Sequence, residues 1–115
     1  MNNVLRAKRY LAESSARIID AKNVLRMGSP SSTLELCNEA MELALKACLT
    51  LFGIPLRKNP RSVVMDNRER FPSWFINRLE DILLKESSEE VLGCIRKAEE
   101  LNNLVWELIK RVNEN

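Results

Sequence analysis

The chain has 115 residues, of which 45% are hydrophobic and 30% charged, a composition that predicts one folded domain over residues 1–115. Three glycines, four prolines and 5% aromatic residues disfavour a collagen-like chain, a β-sandwich and an aromatic platform for single-stranded nucleic acid. No apolar run reaches the ~20 residues of a membrane span, and the N-terminal stretch lacks the apolar core of a secretory signal, so we expect a cytoplasmic protein.

Charge is balanced overall but uneven along the chain. The 18 basic and 16 acidic residues give a net charge of +2, whereas residues 1–30 carry +4, residues 54–70 carry +3 and residues 86–115 carry −3. Because arginine and lysine clusters attract phosphate groups, the second of these segments indicates a local basic patch.

The residue types exclude several kinds of active site. There is no histidine, which removes Ser-His-Asp and Cys-His catalysis and histidine-containing zinc sites. Cys37 and Cys48 share one predicted helix at ~16 Å along its axis, too far apart for a disulfide, and no CxxC pair is present. We therefore interpret these two cysteines and Cys94 as core thiols, and we expect no metal and no cofactor.

The first helix is predicted over residues 4–25, because apolar residues recur there at helical spacing. Gly28, followed by Ser29-Pro30, ends it. Its apolar stripe comprises Val4, Leu5, Ala7, Leu11, Ala12, Ser14, Ile18, Ile19, Ala21 and Leu25.

The second helix is predicted to begin around Ser31–Thr33, where Ser32 and Glu35 match a capping box, and to end at Gly53. It is apolar on two sides, so it must be covered on two sides, either as the central helix of a bundle or in a dimer interface. Its second apolar side comprises Leu36, Ala40, Leu43 and Ala47.

The sequence after Gly53 predicts two or three further helices. Asn59-Pro60 suits the start of a short helix, although a loop over residues 60–70 also fits. A helix follows over Ser73–Lys85, and the last helix begins at Ser87, with Glu90 completing a capping box. We interpret the last helix's carboxylates as a solvated face rather than metal ligands; they are Glu99, Glu100 and Glu107.

These elements predict an all-α fold, an antiparallel up-and-down helical bundle of four to five helices. We expect the first helix to pair with the second, the second to pair with the Ser73–Lys85 helix, and the last helix to close the core.

The second helix resembles that of the HEPN (higher eukaryotes and prokaryotes nucleotide-binding) family. The family pattern of Ala, Glu, Leu-Lys-Ala and a terminal Gly is matched within residues 37–53, and the first helix fits through Ala16–Ala21 and the Gly-Ser-Pro-Ser break. The matching residues are Ala40, Glu42, Leu45, Lys46, Ala47 and Gly53.

The resemblance implies a helical bundle that is often a homodimer and often pairs with a nucleotidyltransferase as toxin and antitoxin. Many members are metal-independent RNases with an Arg-x4-6-His motif near the start of the last helix. Arg78 is the nearest arginine upstream of that helix, and no histidine follows it. Members without the motif are binding or partner modules, so no catalytic residue is assigned here.

Two groups of residues are the candidate sites. One group could bind phosphate or RNA, or be ordinary surface charge partly neutralised by Asp66 and Glu69; it comprises Arg57, Lys58, Arg61, Arg68, Arg70 and Arg78. The other could form a dimer or partner interface, although Trp106 could equally pack at the edge of the bundle; it comprises Leu36, Ala40, Leu43, Ala47 and Trp106.

The sequence thus predicts a non-catalytic HEPN-like module, a homodimer and the partner of a nucleotidyltransferase-type protein, with RNA or nucleotide as a further ligand. Two alternatives stay open. One is an RNase that uses arginines, with Arg78 and Arg61 as candidates, and hydroxyls instead of histidine, and the other is a structural subunit of a larger complex.

Overall fold

The computed structural model describes residues 3–57, 59–85 and 90–114. Five α-helices and one 3₁₀ turn make up their regular structure, and these described ranges contain no β-strand. The helices are α1 (Asn3–Arg26), α2 (Pro30–Leu51), α3 (Pro60–Asp66), α4 (Ser73–Leu84) and α5 (Glu90–Glu114), and the 3₁₀ turn is Arg68–Arg70. The all-α prediction is confirmed. Within the described residues, no helix is both long and apolar enough to cross a membrane.

The turn between α1 and α2 depends on Gly28. Its φ of +81° lies in the left-handed region, where a side chain is strained, and the backbone N–H of Ser29 donates to the carbonyl of Val24. Pro30 then occupies the first turn of α2, where its fixed φ suits a helix. The helix therefore begins before Ser32, so the predicted Ser32–Glu35 capping box is wrong.

The helix predicted after Asn59 is confirmed. The side-chain oxygen of Asn59 accepts hydrogen bonds from the backbone N–H groups of Arg61 and Ser62, at 3.0 and 3.4 Å. The predicted cap at Ser87 lies outside the described residues. The last helix is described from Glu90 onward.

The central position of α2 explains its two apolar sides. This helix packs against α1, α5 and α3, so neighbours within the chain cover both sides. The α4 helix packs mainly on α5 rather than on α2, which corrects the predicted pairing. The largest side chains with no exposed surface in the main core include Leu11, Leu49, Phe75, Leu79, Leu101, Leu104 and Leu108.

The two ends of the bundle have different chemistry. At one end, which we call the Phe71 end, α1 and α4 begin and α2 and α5 finish, and the Phe71 ring contacts Phe52 and Phe75, with ring centres 4.8 and 5.6 Å apart. At the other, which we call the Glu90 end, α2 and α5 begin, and Arg61 of α3 lines a depression between them. The two ends are separated by the length of α2, about 33 Å for its 22 residues.

Candidate interaction surfaces

The six candidate phosphate-binding residues do not form one cluster. Arg61 lies at the Glu90 end, where it lines a depression with Asn38, Cys94 and Lys97. Arg70 lies at the Phe71 end, and its guanidinium donates to the backbone carbonyl of Phe52 at 3.3 Å. The two arginines therefore lie against different parts of α2, near Asn38 and near Phe52, which are about 20 Å apart along its axis.

Arg78 is held in an ion-pair network between α4 and α5. One of its terminal nitrogens donates to both carboxylate oxygens of Glu107, at 3.0 and 3.1 Å. Glu107 also pairs with Arg111 at 2.8 Å, and the Arg111 guanidinium lies 4.1 Å from the centre of the Trp74 ring. Arg78 therefore already has an anionic partner and joins two helices.

Two further members of that group, Arg57 and Arg68, lie outside this network. Arg57 and Arg68 are exposed. Lys58 lies outside the described residues. The structure thus leaves Arg57, Arg68 and Arg70 as exposed cations beyond the end of α2.

A second basic surface lies on the first turns of α1. Arg6 and Arg9 line a depression of about 210 Å³ together with Tyr10 and Glu13. No acidic residue occurs in the first turn of this helix. Further along α1, Arg17 is engaged by Glu39 at 3.2 Å, so the cationic character is concentrated at the Phe71 end.

Two of the five candidate interface residues are inside the chain's own core. Ala40 and Ala47 have no exposed surface. The hydroxyl of Ser14 on α1 donates to the carbonyl of Ala40 at 2.8 Å, which shows how closely α1 approaches α2 there. Ala40 and Ala47 therefore cannot contact a partner, and their prediction as interface residues is wrong. Leu36 and Leu43 are half-buried.

One edge of the stripe predicted for α1 is exposed rather than buried. The buried residues of this helix are Ala7, Leu11, Ser14, Ile18 and Ala21. Leu5, Ala12 and Ile19 were predicted to share that face but are exposed, with Leu5 and Ile19 at 49% and 59%. The cause is the direction of packing, because α2 and α5 both lie to one side of α1. Leu5, Ala12 and Ile19 each follow a residue of that side by one position, which turns them about 100° further round the helix and leaves them uncovered.

The exposed edge continues onto α5. Leu92 and Trp106, which lie on one side of α5 because they are fourteen residues apart, are 42% and 37% exposed. The pairing of Lys22 with Glu99 at 2.7 Å places this side of α5 beside α1. We call the combined surface the seam face; it comprises Leu5, Ala12, Ile19, Leu92 and Trp106.

Trp106 lines a groove on the seam face. The groove has a volume of about 440 Å³, and Lys8, Ile109, Lys110 and Asn113 lie around the indole. Neither Lys8 nor Lys110 has an ion-pair partner among the described residues, whereas the nearby carboxylate of Glu107 is taken by two arginines. The groove therefore has an apolar floor and a positively charged rim.

Three of the glutamates of α5, those considered as metal ligands from the sequence, each have a basic partner. Glu99 pairs with Lys22, Glu100 with Lys85 at 3.4 Å, and Glu107 with Arg78 and Arg111. Within the described ranges, no group of three or more metal-ligating side chains is close enough to hold an ion. The carboxylates thus act as helix-to-helix contacts.

Two of the cysteines meet, although they are distant in the sequence. Cys37 on α2 and Cys94 on α5 belong to one apolar cluster, and the Cys94 sulfur lies 3.9 Å from the side-chain oxygen of Asn38, the residue next to Cys37. Burial raises the pKa of Cys37 to about 12, with Cys94 contributing, and burial also raises the pKa of Cys94. Both cysteines lie in the first turns of parallel helices, which is the signal that sequence reasoning missed.

No family model, curated protein or solved structure matches the chain. The resemblance to the HEPN family therefore rests on the residues of α2.

Proposed function

We propose that this chain is a non-catalytic, HEPN-like interaction module that docks an acidic protein partner on the seam face. The partner class is the nucleotidyltransferase-type protein of a toxin–antitoxin-like pair, as the family resemblance implies. The observation that carries the proposal is the groove at Trp106, where an exposed indole lies between two lysines that have no ion-pair partner among the described residues.

The seam face has the composition of a docking surface. Exposed aromatic side chains in a partly desolvated groove are the residues on which binding energy concentrates. Leu5, Ile19 and Leu92 extend the apolar area along both helices. A helix or loop with one apolar anchor would fill the groove and cover this strip.

The charge of the rim selects an acidic partner. Lys8 and Lys110 on one copy would face the same lysines on a second copy in a symmetric contact, and like charges at an interface oppose association. Carboxylates on a different protein would instead pair with both. The homodimer predicted from α2 remains a prediction, and α2 itself no longer requires one because its two sides are covered.

RNA or nucleotide binding is a second candidate function, favoured by the basic surface on α1. Arg6 and Arg9 line one depression in the first turns of α1, at the same end of the bundle as Arg70. Such a surface binds phosphates through charge and loses affinity as salt rises. An RNase mechanism finds no support in it, since no group with an ordinary pKa near neutrality is available.

The proposal is tested by titrating the purified nucleotidyltransferase-type protein of the same genome into this chain. Trp74→Phe leaves Trp106 as the fluorescent reporter, and we expect its emission to shift to shorter wavelength on binding. Trp106→Ala should weaken binding about tenfold or more, measured by calorimetry. Leu84→Ala, which removes a 72% exposed leucine on α4, is the matched control and should leave affinity unchanged.

The charge of the rim is tested separately. Lys8→Glu and Lys110→Glu should each weaken the complex, and Arg68→Glu should not. Light scattering of the chain alone at micromolar concentration decides whether it self-associates. No complex with the nucleotidyltransferase-type protein, or a complex indifferent to Trp106, would overturn the proposed function.

A further inference from the structure

We infer that Cys94 and Cys37 form a thiol–disulfide exchange site, at which Cys94 reacts with a small carboxylated disulfide and Cys37 resolves the product. The reactant class is the low-molecular-weight disulfides, of which glutathione disulfide is the probe. The end product is a disulfide that joins α2 to α5. This inference is independent of the docking function.

The two thiols are placed for sequential reaction. Cys94 lines the depression at the Glu90 end, which opens to solvent with a volume of about 380 Å³, whereas Cys37 has no exposed surface. The two side chains lie in one cluster, so the Cys37 thiol is close to a mixed disulfide formed on Cys94. An accessible thiol beside a buried partner is the arrangement of an attacking and a resolving cysteine.

Exposure assigns the roles, because Cys94 lines the depression and Cys37 has no exposed surface. After burial, the proximity of the two thiols raises the pKa of Cys37 and lowers that of Cys94. Lys97 also lowers the pKa of Cys94, although burial has the largest effect and leaves that pKa raised overall. Cys94 is therefore the easier of the two to ionise, and the exchange is slow at neutral pH.

The charges around the depression select the reactant. Arg61 from α3 and Lys97 from α5 line it, with Glu90 as the opposing carboxylate and Asn38 as a neutral neighbour. The Asn38 side-chain oxygen lies 3.9 Å from the Cys94 sulfur. Two cations at the mouth favour a disulfide that carries carboxylates over an uncharged one.

The chemistry balances without a further reactant. The Cys94 thiolate attacks one sulfur of glutathione disulfide, the S–S bond breaks, and the departing glutathione thiolate takes up the proton that Cys94 released. The Cys37 sulfur then attacks Cys94, loses its proton, and displaces the second glutathione as a thiol. Two protein thiols are oxidised, and one small disulfide is reduced to two thiols.

Cys48 provides the matched control. It is fully buried, its thiol donates to the carbonyl of Leu45 at 3.1 Å, and burial raises its pKa. Neither other cysteine is close to it, because Cys37 is about 16 Å away along the same helix and Cys94 packs in the cluster of Cys37, to which Cys48 does not belong. Cys48 should therefore remain a thiol while the other pair is oxidised.

The test is to treat the folded full chain with excess glutathione disulfide, then denature it, alkylate the remaining thiols and measure the mass. We expect wild type to retain one alkylated cysteine, Cys48, and peptide mapping to join Cys37 to Cys94. Cys37→Ala should stop at a glutathione adduct on Cys94, and Cys94→Ala should not react. Oxidation should raise Tm by about 5–10 °C, reversibly with dithiothreitol.

Two comparisons sharpen the test. Arg61→Gln should slow the reaction severalfold with glutathione disulfide but not with uncharged hydroxyethyl disulfide, and Arg57→Gln should slow neither. Cys48→Ala should behave as wild type. Three alkylated thiols after prolonged treatment of folded wild type, or Cys48 reacting as fast as Cys94, would overturn the inference.

Discussion

The guanidinium of Arg111 lies over the ring of Trp74, 4.1 Å from its centre, and joins the last turns of α5 to the first turn of α4. Arg111 also pairs with Glu107, which in turn holds Arg78. Four side chains thus form one continuous contact between α4 and α5.

The contact between Trp74 and Arg111 should be measurable as a coupling energy. Trp74→Leu and Arg111→Gln, alone and together, should give a coupling of about 0.5–1 kcal/mol in urea unfolding, the value for a cation over an aromatic ring at a partly exposed site. Arg96→Gln, on an exposed position of the same helix, should be additive with Trp74→Leu. Equal coupling for both arginines would contradict the observed contact.

The buried amide of Asn102 should matter for stability. Its nitrogen donates to the carbonyl of Leu11 at 3.3 Å and to the hydroxyl of Ser15 at 3.2 Å, so it ties α5 to α1. Asn102→Ala should lower the free energy of unfolding by about 1–3 kcal/mol. The neighbouring Asn103 is exposed, and Asn103→Ala should stay within about 0.5 kcal/mol of wild type.

The corrected places of Ala40 and Ala47 lead to a prediction about packing. Ala40→Leu and Ala47→Leu should each destabilise the fold by about 1–3 kcal/mol, because neither site has space for three more carbons. Ala16→Leu on the exposed side of α1 should be nearly neutral. Unchanged thermal stability in Ala40→Leu and Ala47→Leu would contradict the burial of these two alanines.

Much of the fold follows from local patterns in the sequence. Apolar residues spaced three and four apart place the helices, Gly28 and Gly53 end the first two, and the Asn59 side chain begins the third. Each of these features depends on neighbours within a few residues. They were therefore predictable without knowledge of the tertiary structure.

The sites depend on pairings that the sequence does not contain. The exposure of Leu5 and Ile19 follows from the direction in which α2 and α5 approach α1. The apolar stripe of α1 is wider than the area that these two helices cover, so one edge of the stripe stays exposed. Likewise, the ion pair between Arg78 and Glu107 depends on the packing of α4 against α5. The charged segment at residues 54–70 is continuous in sequence, but Arg61 lines the depression beside Asn38 and Cys94, whereas Arg70 donates to the carbonyl of Phe52.

The basic surface on α1 can be tested with a short labelled single-stranded RNA. Arg6→Ala combined with Arg9→Ala should weaken binding at low salt severalfold and should make the remaining affinity less dependent on salt. Arg78→Ala should have little effect, because its charge is engaged by Glu107. Fluorescence anisotropy followed by a gel measures both affinity and the integrity of the RNA. A greater loss with Arg78→Ala than with the α1 pair would contradict this assignment.

The measurement that tests the central claim most directly is calorimetric titration of the nucleotidyltransferase-type protein into wild type, Trp106→Ala and Leu84→Ala. The account predicts a complex with wild type and with Leu84→Ala at equal affinity, and binding weakened about tenfold or more by Trp106→Ala. Equal affinity for all three chains, or no heat of binding with wild type, would contradict it.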